Sequence, residues 1–494
     1  MTSKLVEISS QVITCHNLVG GDWRLSSGAP LEIKSPYTGQ LIGRVPVSSL
    51  DEVDEALEAA QAAFSLWRKT PIKERCQLLF RLRQLMLDDL ETLAHRAASE
   101  AGKTVDEARA GIQKGIEVME YALSLQNLAS GGGMEVSRGV MCHMSREPLG
   151  VVLGITPFNF PAMVPLWMYP IALALGNVFV LKPSEKVSLT SQLIGELIRK
   201  AGFPPGVFTI LNGDRTTAES LIDHPLVKAV AFVGSTPAAK AVYERATQKH
   251  KRALTLGGAK NQLILVPDAN PDIAVRGIVD SFTGCAGQRC MAASLLIAVG
   301  ETEPLIKRVI ETARALRLGT GMGAIIDKQA LARMSGIIDR AAKAGAKIVL
   351  DGRNPKPPQG YEDGVWLAPT IIDHASPDME CATTEIFGPV LTIIRVKTLA
   401  EAMAIENRNI FGNATSVFTQ SGDVAKLVAD ESTSGMIGVN IGVPVPREPF
   451  SFGGTKESKF GACDITGDSA IEFWTTLKKV TTKWAKQTDQ NWMS

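Results

Sequence analysis

The chain has little of what would mark a secreted, membrane-bound or nucleic-acid-binding protein. Its seven cysteines, at 15, 76, 142, 285, 290, 381 and 463, form an odd and scattered set. They lack the spacing of a disulfide framework and fit free thiols in a reducing compartment. The six histidines do not cluster with them, so no zinc pattern is visible and no metal is expected. No apolar run approaches the roughly eighteen residues of a membrane span, and the N-terminus MTSKLVEISS lacks the charged start and apolar stretch of a secretory signal. A cytoplasmic protein with no membrane partner is the expectation. Charge of one sign is also missing, since 52 basic and 51 acidic residues leave a net charge of +1 without a long run of either. Nothing in that balance recruits nucleic acid. No G-x-G-x-x-G fingerprint follows a strand-like run, so a standard dinucleotide turn is not supported.

What is present is length and periodicity. At 494 residues, 45% of them hydrophobic, the chain exceeds the size at which one core stops growing, and two or three domains are expected. Residues 17 to 46 alternate short apolar pairs with Gly and Pro and read as a strand-and-turn segment. From Asp51, a candidate cap, Val53, Leu57, Ala60, Phe64 and Trp67 follow helical spacing. A second amphipathic run covers 72 to 101, and a third extends from Thr104 to near Ser124, before ASGGG at 129 to 133 breaks the pattern.

The runs GVVLGI, NVFVLK, GVFTIL, KAVAFVG and NQLILVP then alternate with helix-like segments such as 189 to 201 and 237 to 247. Apolar strands interleaved with helices predict a doubly wound, largely parallel sheet. Near Asn261 the alternation begins again, with helices over 272 to 285 and 303 to 317 and the runs KIVL, LTIIRV and ATSVFT. The fold class read from this order is α/β, with two doubly wound units. Residues 352 to 364, rich in Pro and Gly, read as a surface loop. The alternating FWTTLKKVTTKW near the C-terminus reads as a long edge strand, expected to pair with another subunit rather than stay open.

Ligands of such sheets bind beyond the carboxyl ends of the strands, and four stretches stand there: ITPFNFP, LKPSE, FVGST and LGGAKN. Gly234 and Ser235 precede a helix whose free N–H groups suit a phosphate, although the pair also serves as an ordinary cap. Lys182 and Glu185 suit ribose hydroxyls, and the carboxylate would repel a 2′-phosphate, which favours NAD over NADP. Read alone, the same pair is also a solvated loop. Asn159, stiffened by prolines and aromatics, is suited to hold an oxyanion, and asparagine is equally common as a turn residue. In SFTGCAGQRCMAAS, Cys290 is a candidate nucleophile, against the ordinary reading of a cysteine as core filler.

Together these stretches resemble the aldehyde dehydrogenase superfamily in order and spacing, from GGDW at 20 to 23 through PFNFP, KPSE, FVGST, LGG, GQRC and EIFGPV to KKVTTKW. The branch that acts on methylmalonate semialdehyde is the most similar, through REPLGVVLGITPFNFPAMVPLWMYPIALALGN, GAKN, PDAN and GQRCMA. The resemblance implies an NAD-binding domain over 1–124 and 150–257, a catalytic domain over 258–464, and a β oligomerisation extension over 125–149 and 465–494. It implies that Cys290 adds to the aldehyde and that Asn159, with the backbone N–H of Cys290, holds the resulting alkoxide. It also places Thr156, Pro157, Phe158, Lys182, Glu185, Gly234, Ser235, Leu256, Gly257, Glu385 and Phe387 along the cofactor. A homodimer or homotetramer is implied as well.

One departure bears on the chemistry. Hydrolytic members carry a glutamate directly before LGG, where this chain has Thr255. A hydroxyl is too weak a base to activate water near neutral pH, so the resemblance implies that coenzyme A resolves the thioester, with release of a carboxylic acid as the alternative. Arg289 is placed to pair with a substrate carboxylate. Lys114 stands where the branch has an arginine, keeping the charge without the fork. It also reads as a solvent-facing residue. Gln262, Arg447 and Glu448 are further departures, the last two adding charge near the expected substrate entrance.

Overall fold

The structure, a computed structural model, describes residues 5–129 and 131–484. Its first large sheet has eight strands. In spatial order they are Lys459–Phe460, Arg252–Leu256, Val227–Val233, Val151–Ile155, Val178–Lys182, Phe208–Ile210, Asn17–Val19 and Asp22–Arg24. The middle five are parallel. Both Val151–Ile155 and Val178–Lys182 are buried at every position, which is why their sequences run apolar without alternation.

From Val151–Ile155 the chain winds outward through Val178–Lys182 and Phe208–Ile210, then returns to the other side as Val227–Val233. The strand order reverses between Val151–Ile155 and Val227–Val233, and a ligand crevice opens beyond such a reversal. The segments that follow these two strands carry Asn159 and the Gly234–Ser235 pair.

A second, seven-stranded sheet runs Lys347–Leu350, Thr370–Asp373, Val390–Val396, Ala293–Val299, Asn261–Leu265, Ala414–Phe418 and Met436–Val439. Its strands are parallel except at the Lys347–Leu350 edge. NQLILVP, which the sequence groups with the first sheet's runs, is an inner strand of this second one. Its place in the first is taken by Arg252–Leu256, whose run RALTL is shortened by a charge and a threonine. Four residues, Gly257 to Lys260, carry the chain from one sheet to the other.

The helices differ from expectation at their ends. The first spans Leu50–Trp67 and is capped by Ser49, not Asp51, through a reciprocal capping box with Glu52. The run over 72 to 101 is two helices, Ile72–Asp88 and Leu90–Ala101, because Asp89 leaves helical geometry between them (φ −104, ψ 17). The third, Val105–Leu128, is capped by Thr104 with Glu107.

The C-terminal strand Thr475–Lys483 pairs antiparallel with Val140–Pro148 over nine residues of its own chain. A partner within the fold covers one side of this strand, and its other side is the edge of the small sheet. Phe473 and Trp474 precede it as the end of a helix, Gly467–Trp474, and are buried. The third strand of this small sheet, Gly132–Ser137, is exposed throughout.

Candidate active site

The helix Pro271–Thr283 ends at Gly284, and the chain then passes through Cys285, Ala286 and Gly287 at φ 52, 52 and 68. Left-handed geometry costs non-glycine residues roughly 1–2 kcal/mol each, so neighbours must hold this turn. Glu107 does so from the first turn of the Val105–Leu128 helix. One of its oxygens accepts the Cys285 N–H at 2.6 Å, and the other accepts the Thr104 N–H at 3.0 Å. Gly287 is required for a second reason, since a Cβ there would overlap the Gly388 carbonyl of the EIFGPV loop. The GQRC and EIFGPV loops thus meet backbone to backbone.

Cys290 emerges from this turn half-buried, whereas Cys285 is fully packed. Its carbonyl accepts two hydrogen bonds, from Asn261 Nδ2 at 2.7 Å and Asn413 Nδ2 at 3.0 Å. Asn261 in turn accepts the Ala414 N–H at 3.0 Å. These two asparagines fix the peptide plane of Cys290, and the sequence gives neither of them a role. Asn261 stood inside a quoted motif. Asn413 had no local signal, because its partners lie more than 120 residues away. Asn159 is buried and donates from Nδ2 to the Gln288 carbonyl at 2.9 Å, which brings PFNFP against GQRC. An amide NH₂ has two donors, so one is left for an alkoxide.

Burial pushes the Cys290 thiol up to about 12, with the Glu385 carboxylate adding to the rise and Arg289 and Lys103 opposing it. Glu385 is itself raised to about 7 by burial, against the Ala259 N–H that it accepts at 3.0 Å. Behind it lies the buried ammonium of Lys260, lowered to about 8. Neither Lys103 nor Lys260 was singled out in the sequence. Lys103 lies with its ammonium 3.1 Å from the centre of the Phe160 ring. Because thiolate is the reacting form, alkylation of Cys290 in the cofactor-free enzyme should rise about tenfold per pH unit from 7 through 10. Mass spectrometry of the Cys290 peptide measures this, and a plateau near pH 8 would contradict the burial account.

The residues expected along a dinucleotide are distributed as follows. Lys182 is buried, its ammonium 3.4 Å from Glu185, and burial lowers it while Glu185 opposes the shift. Thr156 donates its N–H to the Lys182 carbonyl at 3.2 Å, tying two strand ends together. Ser235 begins the helix Thr236–Gln248, and no side chain caps it. The first-turn N–H groups are thereby left for an anion. Gly234 donates to the Leu256 carbonyl at 3.0 Å, and Gly257 to that of Ser458 at 2.9 Å. Phe158 and Phe387 meet edge to face at 5.9 Å, and Pro157 lies beside Phe158 in the same turn. An uncapped helix start, a buried lysine paired with a partly exposed glutamate, and an aromatic pair between the Asn159 and EIFGPV loops fit a dinucleotide.

The expected substrate contacts are already engaged. Arg289 donates from one terminal nitrogen to the carbonyls of Asp280 and Ser281 at 2.6 and 2.9 Å, folding back on the preceding helix. Lys114 is held between Glu117 at 3.2 Å and Glu448 at 3.3 Å. Thr255 is fully buried, and its hydroxyl donates to the Ala239 carbonyl at 2.9 Å. Gln262 is a core residue of the second sheet, donating to the Glu406 carbonyl at 3.4 Å. A surface cavity of about 340 Å³ in the proline-rich loop, lined by Leu316, Arg317, Lys356 and Pro358 among others, includes none of these residues.

A half-buried cysteine on a held turn, with a buried amide bonded to the same loop beyond a doubly wound sheet, suits the oxidation of an aldehyde. Residues 23–480 match the aldehyde dehydrogenase family, and the chain belongs to it. It is 40% identical over 486 residues to malonate-semialdehyde dehydrogenase of Pseudomonas aeruginosa, covering 96% of this chain and 97% of that one. Malonate-semialdehyde dehydrogenase 2 of Geobacillus kaustophilus is 41% identical, with 97% and 100% covered. Among solved structures, a Sinorhizobium meliloti protein assigned as a methylmalonate-semialdehyde dehydrogenase and complexed with NAD superposes with a TM-score of 0.95. That protein is 37% identical, with 98% of this chain and 100% of that one covered. Methylmalonate-semialdehyde dehydrogenase of Oceanimonas doudoroffii gives 0.94 at 38% identity, covering 96% and 99%.

Proposed function

We propose that this aldehyde dehydrogenase oxidises a carboxylated semialdehyde of the malonate or methylmalonate type with NAD and transfers the acyl group to coenzyme A. Cys290 Sγ adds to the aldehyde carbon. The free N–H of Asn159 and the backbone N–H of Cys290 hold the oxygen that becomes negative. Such preorganised donors act mainly on the transition state. NAD, when bound, supplies the hydride acceptor. Lys182 and Glu185 would hold its adenosine ribose, the helix start at Gly234–Ser235 its pyrophosphate, and Glu385 with Phe387 its nicotinamide end.

Loss of the hydride leaves a thioester on Cys290. The thiolate of coenzyme A attacks the thioester carbonyl, Cys290 leaves as thiolate, and acyl-CoA is released. The observation that carries this reading is Thr255, a hydroxyl committed to Ala239 where a base for water would stand. A second reading, resolution by water, is favoured by Glu385, the carboxylate acting on Cys290 and raised to about 7. Its test is an aldehyde panel of malonate semialdehyde, methylmalonate semialdehyde and propanal, with products identified by mass spectrometry. Acyl-CoA as the main product supports the first reading, and free acid at an equal rate without coenzyme A supports the second.

The small sheet of 132–148 and 475–483 supports assembly into dimers or tetramers, because Met134, Val136, Met141, Met144 and Val480 lie exposed on it. Light scattering at micromolar concentration should give a mass at least twice that of one chain, and a monomer would contradict this. The free thiols suit a reducing, cytoplasmic setting.

A further inference from the structure

We infer that Glu448 determines specificity in the aldehyde channel, by holding the ammonium of Lys114 and so withholding it from any substrate that ends in a carboxylate. The inference rests on the semialdehyde reading above, because it concerns the group at the far end of the aldehyde. Its place is given by packing. A Cβ added to Gly111 would lie 3.3 Å from the Phe160 ring, and one added to Gly115 would press on Leu166 and Met163. The Val105–Leu128 helix therefore crosses directly over the segment that carries Asn159, and Lys114 lies one turn from the Phe160 contact. From the other side, the loop bearing Glu448 runs to Phe452, whose ring packs on Trp167 at 4.6 Å. Two segments more than 300 residues apart in sequence thus meet beside the oxyanion amide.

Charge decides what that meeting does. The Glu448 side chain is only 7% exposed and stands 3.3 Å from Lys114, which is 24% exposed. Glu117 lies on the same ammonium at 3.2 Å. One cation facing two carboxylates sums to −1, and Arg447 next in sequence is exposed. An entering carboxylate meets a lysine that is already neutralised. To bind it, the substrate must displace Glu448 and leave a buried carboxylate unpaired, which is strongly unfavourable. An aldehyde with an uncharged end meets no such exchange.

The test compares wild type and Glu448→Gln on malonate semialdehyde and propanal, with NAD and coenzyme A saturating. Glutamine keeps the shape and removes the competing charge. The ratio of kcat/KM for malonate semialdehyde over propanal should rise about tenfold, carried by a lower KM, as one freed charge-assisted hydrogen bond gives. The gain should vanish in the double variant Lys114→Gln/Glu448→Gln. Glu448→Met, of similar length and uncharged, carries the same expectation should the glutamine variant fold poorly.

An unchanged ratio in the folded variants, or a gain that survives in the double variant, overturns the inference while leaving the semialdehyde reading in place. Wild type that oxidises propanal but not malonate semialdehyde removes the semialdehyde reading instead. In that event activity on malonate semialdehyde emerging in Glu448→Gln upholds the role of Glu448, and its absence overturns it.

Discussion

Cys290→Ala should form no NADH above background with any aldehyde, a loss of about 10⁴-fold or more, as when a covalent nucleophile is removed. The expectation is specific to this cysteine. Cys285, five residues earlier, is fully buried, its thiol raised by burial, and it sits inside the left-handed turn that Glu107 holds. It has the chemistry of a nucleophile without the access. Cys290 has access, and its carbonyl is pinned by Asn261 and Asn413, so its Sγ is presented from a fixed peptide. Stopped-flow absorbance of NADH reads the difference, with a burst in wild type and none in the alanine variant. A burst that persists in Cys290→Ala would mean that another group attacks the aldehyde.

Asn159→Ala should slow the hydride burst by about 10²- to 10³-fold, the usual effect of losing one oxyanion donor. Because the donor acts on charge that develops only during addition, the loss should fall on kcat and the burst rate, with KM little altered. Asn159 also bonds the Gln288 carbonyl at 2.9 Å, so the variant loosens the GQRC loop as well. Asn159→Asp, which keeps the size but can donate neither to the Gln288 carbonyl nor to an alkoxide, should lose at least as much. A burst rate within threefold of wild type in both variants would remove Asn159 from the chemistry.

The parts of this site that were legible in the sequence are those carried by contiguous residues. Strands buried on both faces are written as apolar runs, and PFNFP, KPSE and FVGST follow the ends of those runs in the sequence as they do in the fold. The family was legible through GQRC and the other ordered motifs, and Cys290 as the attacking group remains part of the proposal. What escaped the sequence reading is what depends on distant pairing. Arg252–Leu256, one place in from the edge of the first sheet, is interrupted by a charge and a threonine, and so NQLILVP reads as the next strand of that sheet. Asn413 and Lys103 act through partners that folding brings from afar. Lys114 and Glu448 were each noticed as departures, but their ion pair joins residues 334 positions apart, and no periodicity encodes it. The cap at Ser49 was missed because Asp51 offers the same chemistry two residues later.

In the proposed reaction the Cys290 thioester waits for coenzyme A, because Thr255 is bonded to Ala239 and supplies no base. Stopped-flow NADH formation with malonate semialdehyde and saturating NAD, with and without coenzyme A, tests it most directly. A burst of one NADH per active site is expected in both cases, followed without coenzyme A by a steady state at least tenfold slower. A steady state equally fast without coenzyme A would contradict it.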